Sequence, residues 1–60
     1  MRAYRFYFLD SAGHIARPPM IVECEDDRAA IESAKQFVDG KAIEVWDEGR
    51  IVVRLEPVHD

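Results

Sequence analysis

The sequence predicts the α+β class: a two-layer domain with a four-stranded, mainly antiparallel sheet and one helix on one face, in the order β-β-α-β-β. Three observations predict it. A single stretch, Asp26 to Gly40, carries apolar residues at helical spacing. The stretches before and after it alternate inward and outward residues with the period of two that a half-buried strand requires. Each flanking pair is split by turn-forming residues, Asp10-Ser11-Ala12-Gly13 on one side and Asp47-Glu48-Gly49 on the other.

The first strand is Ala3 to Leu9, with Tyr4, Phe6 and Phe8 expected under the helix and Arg5 on the far side. Asp10 bonds the backbone ahead of it, and Gly13 takes positive φ. The second strand starts at His14 and Ile15, meets Pro18-Pro19, and resumes from Met20 to Cys24 with Met20, Val22 and Cys24 inward. Two prolines cannot donate to a ladder, so this strand belongs at an edge. The helix is capped by Asp26, and Asp27 supplies negative charge where the helix dipole favours it. Ala30, Ile31, Ala34, Phe37 and Val38 form its apolar stripe. Gly40 is expected to close it in the left-handed conformation. The third strand runs from about Lys41 to Trp46 and the fourth from Arg50 to Glu56. A two-residue Glu48-Gly49 turn mixes core and surface residues on each face. A three-residue turn with Gly49 in a bulge pairs Val45 with Ile51 and Ile43 with Val53, and is preferred for that reason. Pro57 ends the strand, and Val58-His59-Asp60 is expected to fray. The preferred strand order is 2-1-3-4.

Sixty residues make a single small domain, 1–60, near the lower limit for independent folding. Cys24 is the only cysteine, so no disulfide closes within the chain, and a reduced buried thiol suits a cytoplasmic setting. His14 and His59 have no Cys or His at ligand spacing, so neither a metal nor a cofactor is expected. Oligomerisation is the remaining stabilising device. Twelve Asp and Glu against eight Lys and Arg give a net charge of -4, which disfavours non-specific nucleic-acid binding. The apolar run in MRAYRFYFLD is broken by Arg5 and leads to no small-residue cleavage site, so it is not read as a signal peptide. No stretch has the ~18 apolar residues of a membrane span.

Catalytic chemistry has few candidates. His14 with Asp10 resembles a general-base couple, but no nucleophile is placed to be activated, and a hydrogen-bonded turn histidine is the better reading. Cys24 lies between Glu23 and Glu25 on an inward face, where burial and carboxylates suppress thiolate formation. The acidic run Glu23, Glu25, Asp26 and Asp27 lacks the glycine of a calcium loop and reads as a strand end and a helix cap. The chain is therefore expected to be no enzyme.

The outer sheet face is the most informative feature. Arg5, Tyr7, Leu9, Glu44, Trp46, Val52 and Arg54 are expected to point away from the helix and to form an interface. A homodimer is the leading expectation, with Arg5 and Arg54 facing Glu44 of the second copy. An unidentified protein partner comes next. A regulatory or nucleic-acid-associated role, with aromatics and arginines stacking single-stranded RNA, is the alternative.

With those residues placed, the chain resembles a group of short bacterial proteins classed as a domain of unknown function, built as a β-hairpin, a helix and a β-hairpin. The resemblance lies in Tyr4-x-x-Tyr7-x-x-Asp10-x-x-Gly13-His14-Ile15, then Asp27-x-x-Ala30-Ile31-x-x-Ala34, then Glu44-x-Trp46 and Arg50-x-Val52. Pro18-Pro19 and Met20 depart from the more polar second strand of that group. The resemblance implies the β-β-α-β-β order and no reaction, cofactor or partner. A more distant similarity, to small antitoxin-like proteins, lacks their glycine-rich strand turn and separate DNA-binding segment.

Overall fold

Aromatic alternation makes the first strand the axis of the sheet. In the computed structural model, which describes residues 1–38 and 40–57, β1 (Arg2–Phe8) lies between β2 (Met20–Cys24) and β3 (Ile43–Asp47). The final strand, β4 (Arg50–Leu55), adds to the outside of β3, giving the order β2-β1-β3-β4 with every neighbouring pair antiparallel. The expected class and strand order are those observed. Both β2 and β3 run opposite to β1, so the helix connection crosses over the central strand.

Tyr4 and Phe6 are fully buried beneath α1 (Asp27–Lys35), and Phe8 nearly so. Ala30 and Ala34 have no exposed surface, so the helix backbone approaches the sheet closely at both positions. Cys24, Ile43 and Val45 complete the buried cluster, with Met20, Val22, Val53 and Leu55 packed at its margin. Asp26 caps the helix as expected, its carboxylate accepting from the Ala29 amide at 2.8 Å.

The helix ends a turn earlier than its apolar stripe suggests. The amides of Gln36, Phe37 and Val38 donate to carbonyls three residues back rather than four, a tightening common in last turns. Phe37 there sets its ring edge-on to both Phe6 and Phe8 at 6.2 Å while remaining partly exposed. Gly40 does take positive φ, at 76°, but four residues past the cap at Gln36 rather than directly behind the helix.

The second hairpin corrects the expected register. Asp47 pairs with Arg50 across a two-residue Glu48-Gly49 turn, and Trp46 pairs with Ile51. A bulge then leaves Val52 without a partner, so that Val45 faces Val53 and Ile43 faces Leu55. The bulge resolves the mixing of core and surface that seemed to exclude the short turn. It also reverses two residues: Val52 packs against the core, and Ile51 points outward and is 46% exposed. Glu48, not Gly49, takes the left-handed conformation, with φ of 58°. The short turn sets Arg50 opposite Asp47, within 3.0 Å of its carboxylate.

On the other edge, the run through the prolines is a wide interruption. Leu9 bridges to Ile15, and the Ala16 amide donates to the Phe8 carbonyl at 2.8 Å, but regular pairing resumes only at Met20 opposite Phe6. Arg17 within that loop lies over the Phe8 ring, 4.0 Å from its centroid. The fraying expected for Val58, His59 and Asp60 lies outside the described residues.

Candidate interaction surface

Registers on all three strand pairs place one straight row across the face that α1 does not cover. It reads Ile21, Arg5, Trp46, Ile51, on β2, β1, β3 and β4 respectively. Ile21 is 55% exposed and Trp46 partly so. A second row carries Tyr7, Glu44 and Arg54. The Tyr7 and Trp46 rings meet edge to face at 6.3 Å. Trp46 is fixed from its polar end, since its Nε1–H donates to Glu44 Oε1 at 3.1 Å. Glu44 also receives Arg54 Nη1 at 3.4 Å, while Arg54 Nε donates to Glu56 at 2.6 Å.

Of the residues expected here, Arg5, Tyr7, Glu44, Trp46 and Arg54 do share the outer face. Two do not take the expected place. Leu9 is only 3% exposed and offers no contact area. Val52 is turned to the core by the bulge. Glu44 is also already paired within its own chain, so it is not the vacant acid the two arginines were expected to meet in a second copy. The sequence reading missed Ile51 and left Ile21 and Ile15 out of the surface. Alternation along β2 already turns Ile21 outward, and its place beside Arg5 comes from the strand pairing.

Known protein families, curated proteins and solved structures give no match to this chain. The site therefore rests on its own residues.

At the N-terminal end of α1 lies a polar network that pattern reading did not find. The buried Tyr4 hydroxyl donates to Asp27 Oδ1 at 2.8 Å. Arg50 grips the same carboxylate with two bonds of 3.1 Å and reaches Asp47 Oδ2 at 3.0 Å. Arg2 completes it, 2.7 Å from the buried Asp47. Burial first, and then the bond to Asp27, push the Tyr4 phenol up to about 12. The Arg50 hydrogen bonds, followed by that from Tyr4, hold the Asp27 carboxyl below its usual range. Asp27 in turn, with Asp47 behind it, raises Arg50 further above its ordinary value. Tyr4, Asp27 and Arg50 are thereby held in their neutral-pH charge states, which suits a clamp between helix and sheet.

The remaining candidates are structural. Asp10 Oδ1 accepts from the backbone amides of Ala12 and His14 at 2.9 Å each, and these bonds, His14 first, lower its pKa. The histidine is thus held through its main-chain amide. Cys24 is buried in the core cluster. Among the described residues, no group of three His, Cys, Asp or Glu converges to hold a metal ion. No helix among them is long and apolar enough to cross a membrane.

Proposed function

We propose that this chain is a non-catalytic interaction module that acts as a homodimer joined through its outer sheet face, in a reducing, cytoplasmic setting. The observation that carries this reading is the exposure of Ile21, Trp46 and Ile51 in one row, on a face that α1 leaves uncovered. Exposed apolar residues gathered on one face, here around Arg5, mark interfaces, and a two-fold self-contact is the commonest form they take. Charge favours a second copy as the occupant. On the strands themselves the outward charges balance, Arg5 and Arg54 against Glu23 and Glu44, while Glu48 and Glu56 add negative charge at the margin of the face. The balanced centre lets two such faces meet, with the acidic surplus at and beyond their margin. A 60-residue chain buries only about 60% of its unfolded surface alone, which gives dimerisation a stabilising role.

Sedimentation tests it. Wild-type protein at micromolar concentration is expected at twice the chain mass, and Ile51→Glu, at a position open enough to leave the fold intact, at the chain mass. A wild-type monomer at high micromolar concentration removes the reading.

Arg5 beside Trp46 and Tyr7 favours one alternative, a regulatory or nucleic-acid-associated protein that stacks single-stranded bases on this sheet. Neutralisation of Arg54 by Glu44 and Glu56 weakens it. Quenching of Trp46 fluorescence by single-stranded RNA, reversed by salt, would support that role.

A further inference from the structure

The outer face has an order of side chains that is complementary to its own reversal. Its exposed row runs Ile21, Arg5, Trp46, Ile51 from β2 to β4. Turned end for end, it runs isoleucine, tryptophan, arginine, isoleucine. A two-fold axis lying in the seam, parallel to the strands and midway between β1 and β3, performs that reversal. It sets β1 over β3 of the second copy and β2 over β4.

In this arrangement each isoleucine meets an isoleucine and each arginine meets a tryptophan ring, the aromatic that binds cations best. The other in-plane axis, across the strands and through the row, sets Arg5 on Arg5 and buries two like charges together. Among the described residues Arg5 makes no ion pair, hydrogen bond or ring stack of its own, whereas Arg54 is held by two carboxylates. Arg5 is therefore the cation available to a second copy. The neighbouring row points the same way. Reversal lays Tyr7 over Glu44, and the Tyr7 hydroxyl has no hydrogen-bond partner among the described residues. The Glu44 carboxylate is bonded once at each oxygen within its own chain and keeps lone pairs to accept a further hydroxyl. Facing sheets in sandwiches keep their strands within about 30° of each other at about 10 Å separation, so residues near the axis stay in register despite the twist.

Resting on the homodimer proposed above, we infer that the seam is a sheet-to-sheet contact with its two-fold along the strands, Arg5 stacked on the partner's Trp46 and Tyr7 donating to the partner's Glu44. The occupant of the face is thus a second copy of this chain in one defined orientation.

Thiol cross-linking distinguishes the axes. Ile21 and Ile51 lie three strand spacings apart within a copy, roughly 14 Å, but face each other across the inferred seam. Chains carrying Ile21→Cys and chains carrying Ile51→Cys, both with the buried Cys24 changed to Ala, are refolded together and treated with a bismaleimide spanning about 10 Å. A band of twice the chain mass is expected from the mixture and not from either variant alone. Self-linking of Ile21→Cys overturns the axis while sedimentation still reports a dimer. A sedimenting dimer that links in no combination overturns the sheet-to-sheet seam. Sedimentation of both the unlinked variants and the wild type as monomers removes the dimer itself, and the inference with it.

Discussion

Tyr4 shows how one residue serves two layers at once. Its ring fills the core beneath Ala30 and Ala34, and its hydroxyl reaches the first turn of α1 at Asp27. The phenol ordinarily titrates near 10 and here near 12. Between those values the folded chain keeps a proton that the unfolded chain has released. The stabilisation is thus complete below pH 10 and is lost as pH rises toward 12. Asp27 works in the opposite sense. Its lowered pKa stabilises the fold above the usual carboxyl value of 3.8 and ceases to as pH falls below it. Denaturant titrations of Tyr4→Phe are expected to show lower stability at pH 7 and a flatter decline between pH 10 and 12 than wild type. An unchanged alkaline slope would assign that titration to another group. Cys24, in the same cluster, is expected to react with a thiol reagent only after denaturant is added, because its side chain is almost wholly covered. Rapid labelling of the native protein would reopen nucleophilic chemistry. The burial of Tyr4 and Cys24 was legible from alternation, which depends on adjacent residues. The pairing of Asp27 with Tyr4 and with Arg50 was not, since each spans 23 positions and depends on where the helix lands.

Among the elements, the helix face and the hairpin turn differ in how local their causes are. Ala30 and Ala34 repeat at helical spacing, so the buried face follows from sequence alone. Ala34→Asp sets an unpaired charge against the sheet, a cost of several kcal/mol. At about 0.05–0.15 kcal/mol per residue a domain this small does not survive it. Lys35→Asp, one position on, exchanges the exposed pair with Glu32 at 3.2 Å for a like-charge neighbour in the last turn, and is expected to cost only about 1 kcal/mol. Equal shifts in melting temperature for the two variants would contradict the assigned face. The second hairpin was misjudged because strict alternation was assumed through β4. A bulge breaks alternation without leaving a sequence mark as plain as glycine or proline: Ile51, Val52 and Val53 are all β-branched and fit either face. The turn still carries its strain at Glu48, an L-residue with φ of 58°. Positive φ at the first central residue alone is the type II′ pattern, which prefers glycine there. Glu48→Gly is expected to stabilise the protein by up to about 1 kcal/mol, read from a denaturant midpoint at unchanged slope.

For the whole molecule, the proposed dimer would couple folding to concentration. The outer face joins the four strands in a single row, Ile21, Arg5, Trp46 and Ile51, so separating two proposed copies would expose surface to which each of them contributes. If the paired state is the stable one, unfolding releases two chains and the melting temperature must rise with protein concentration. A tenfold change in concentration is worth about 1.4 kcal/mol per dimer. Two 60-residue chains, at about 2.1 cal/mol/K per residue, convert that to roughly 5 °C. Wild type is therefore expected to lose roughly 5 °C for each tenfold dilution. Ile51→Glu should melt lower, and at a temperature independent of concentration, because its carboxylate interrupts the row without entering the core. A wild-type melting temperature that stays flat over a hundredfold dilution, together with a chain-mass sedimentation peak, would leave the outer face without its second copy. Trp46 and Arg5 beside it would then be the groups to probe with a different ligand.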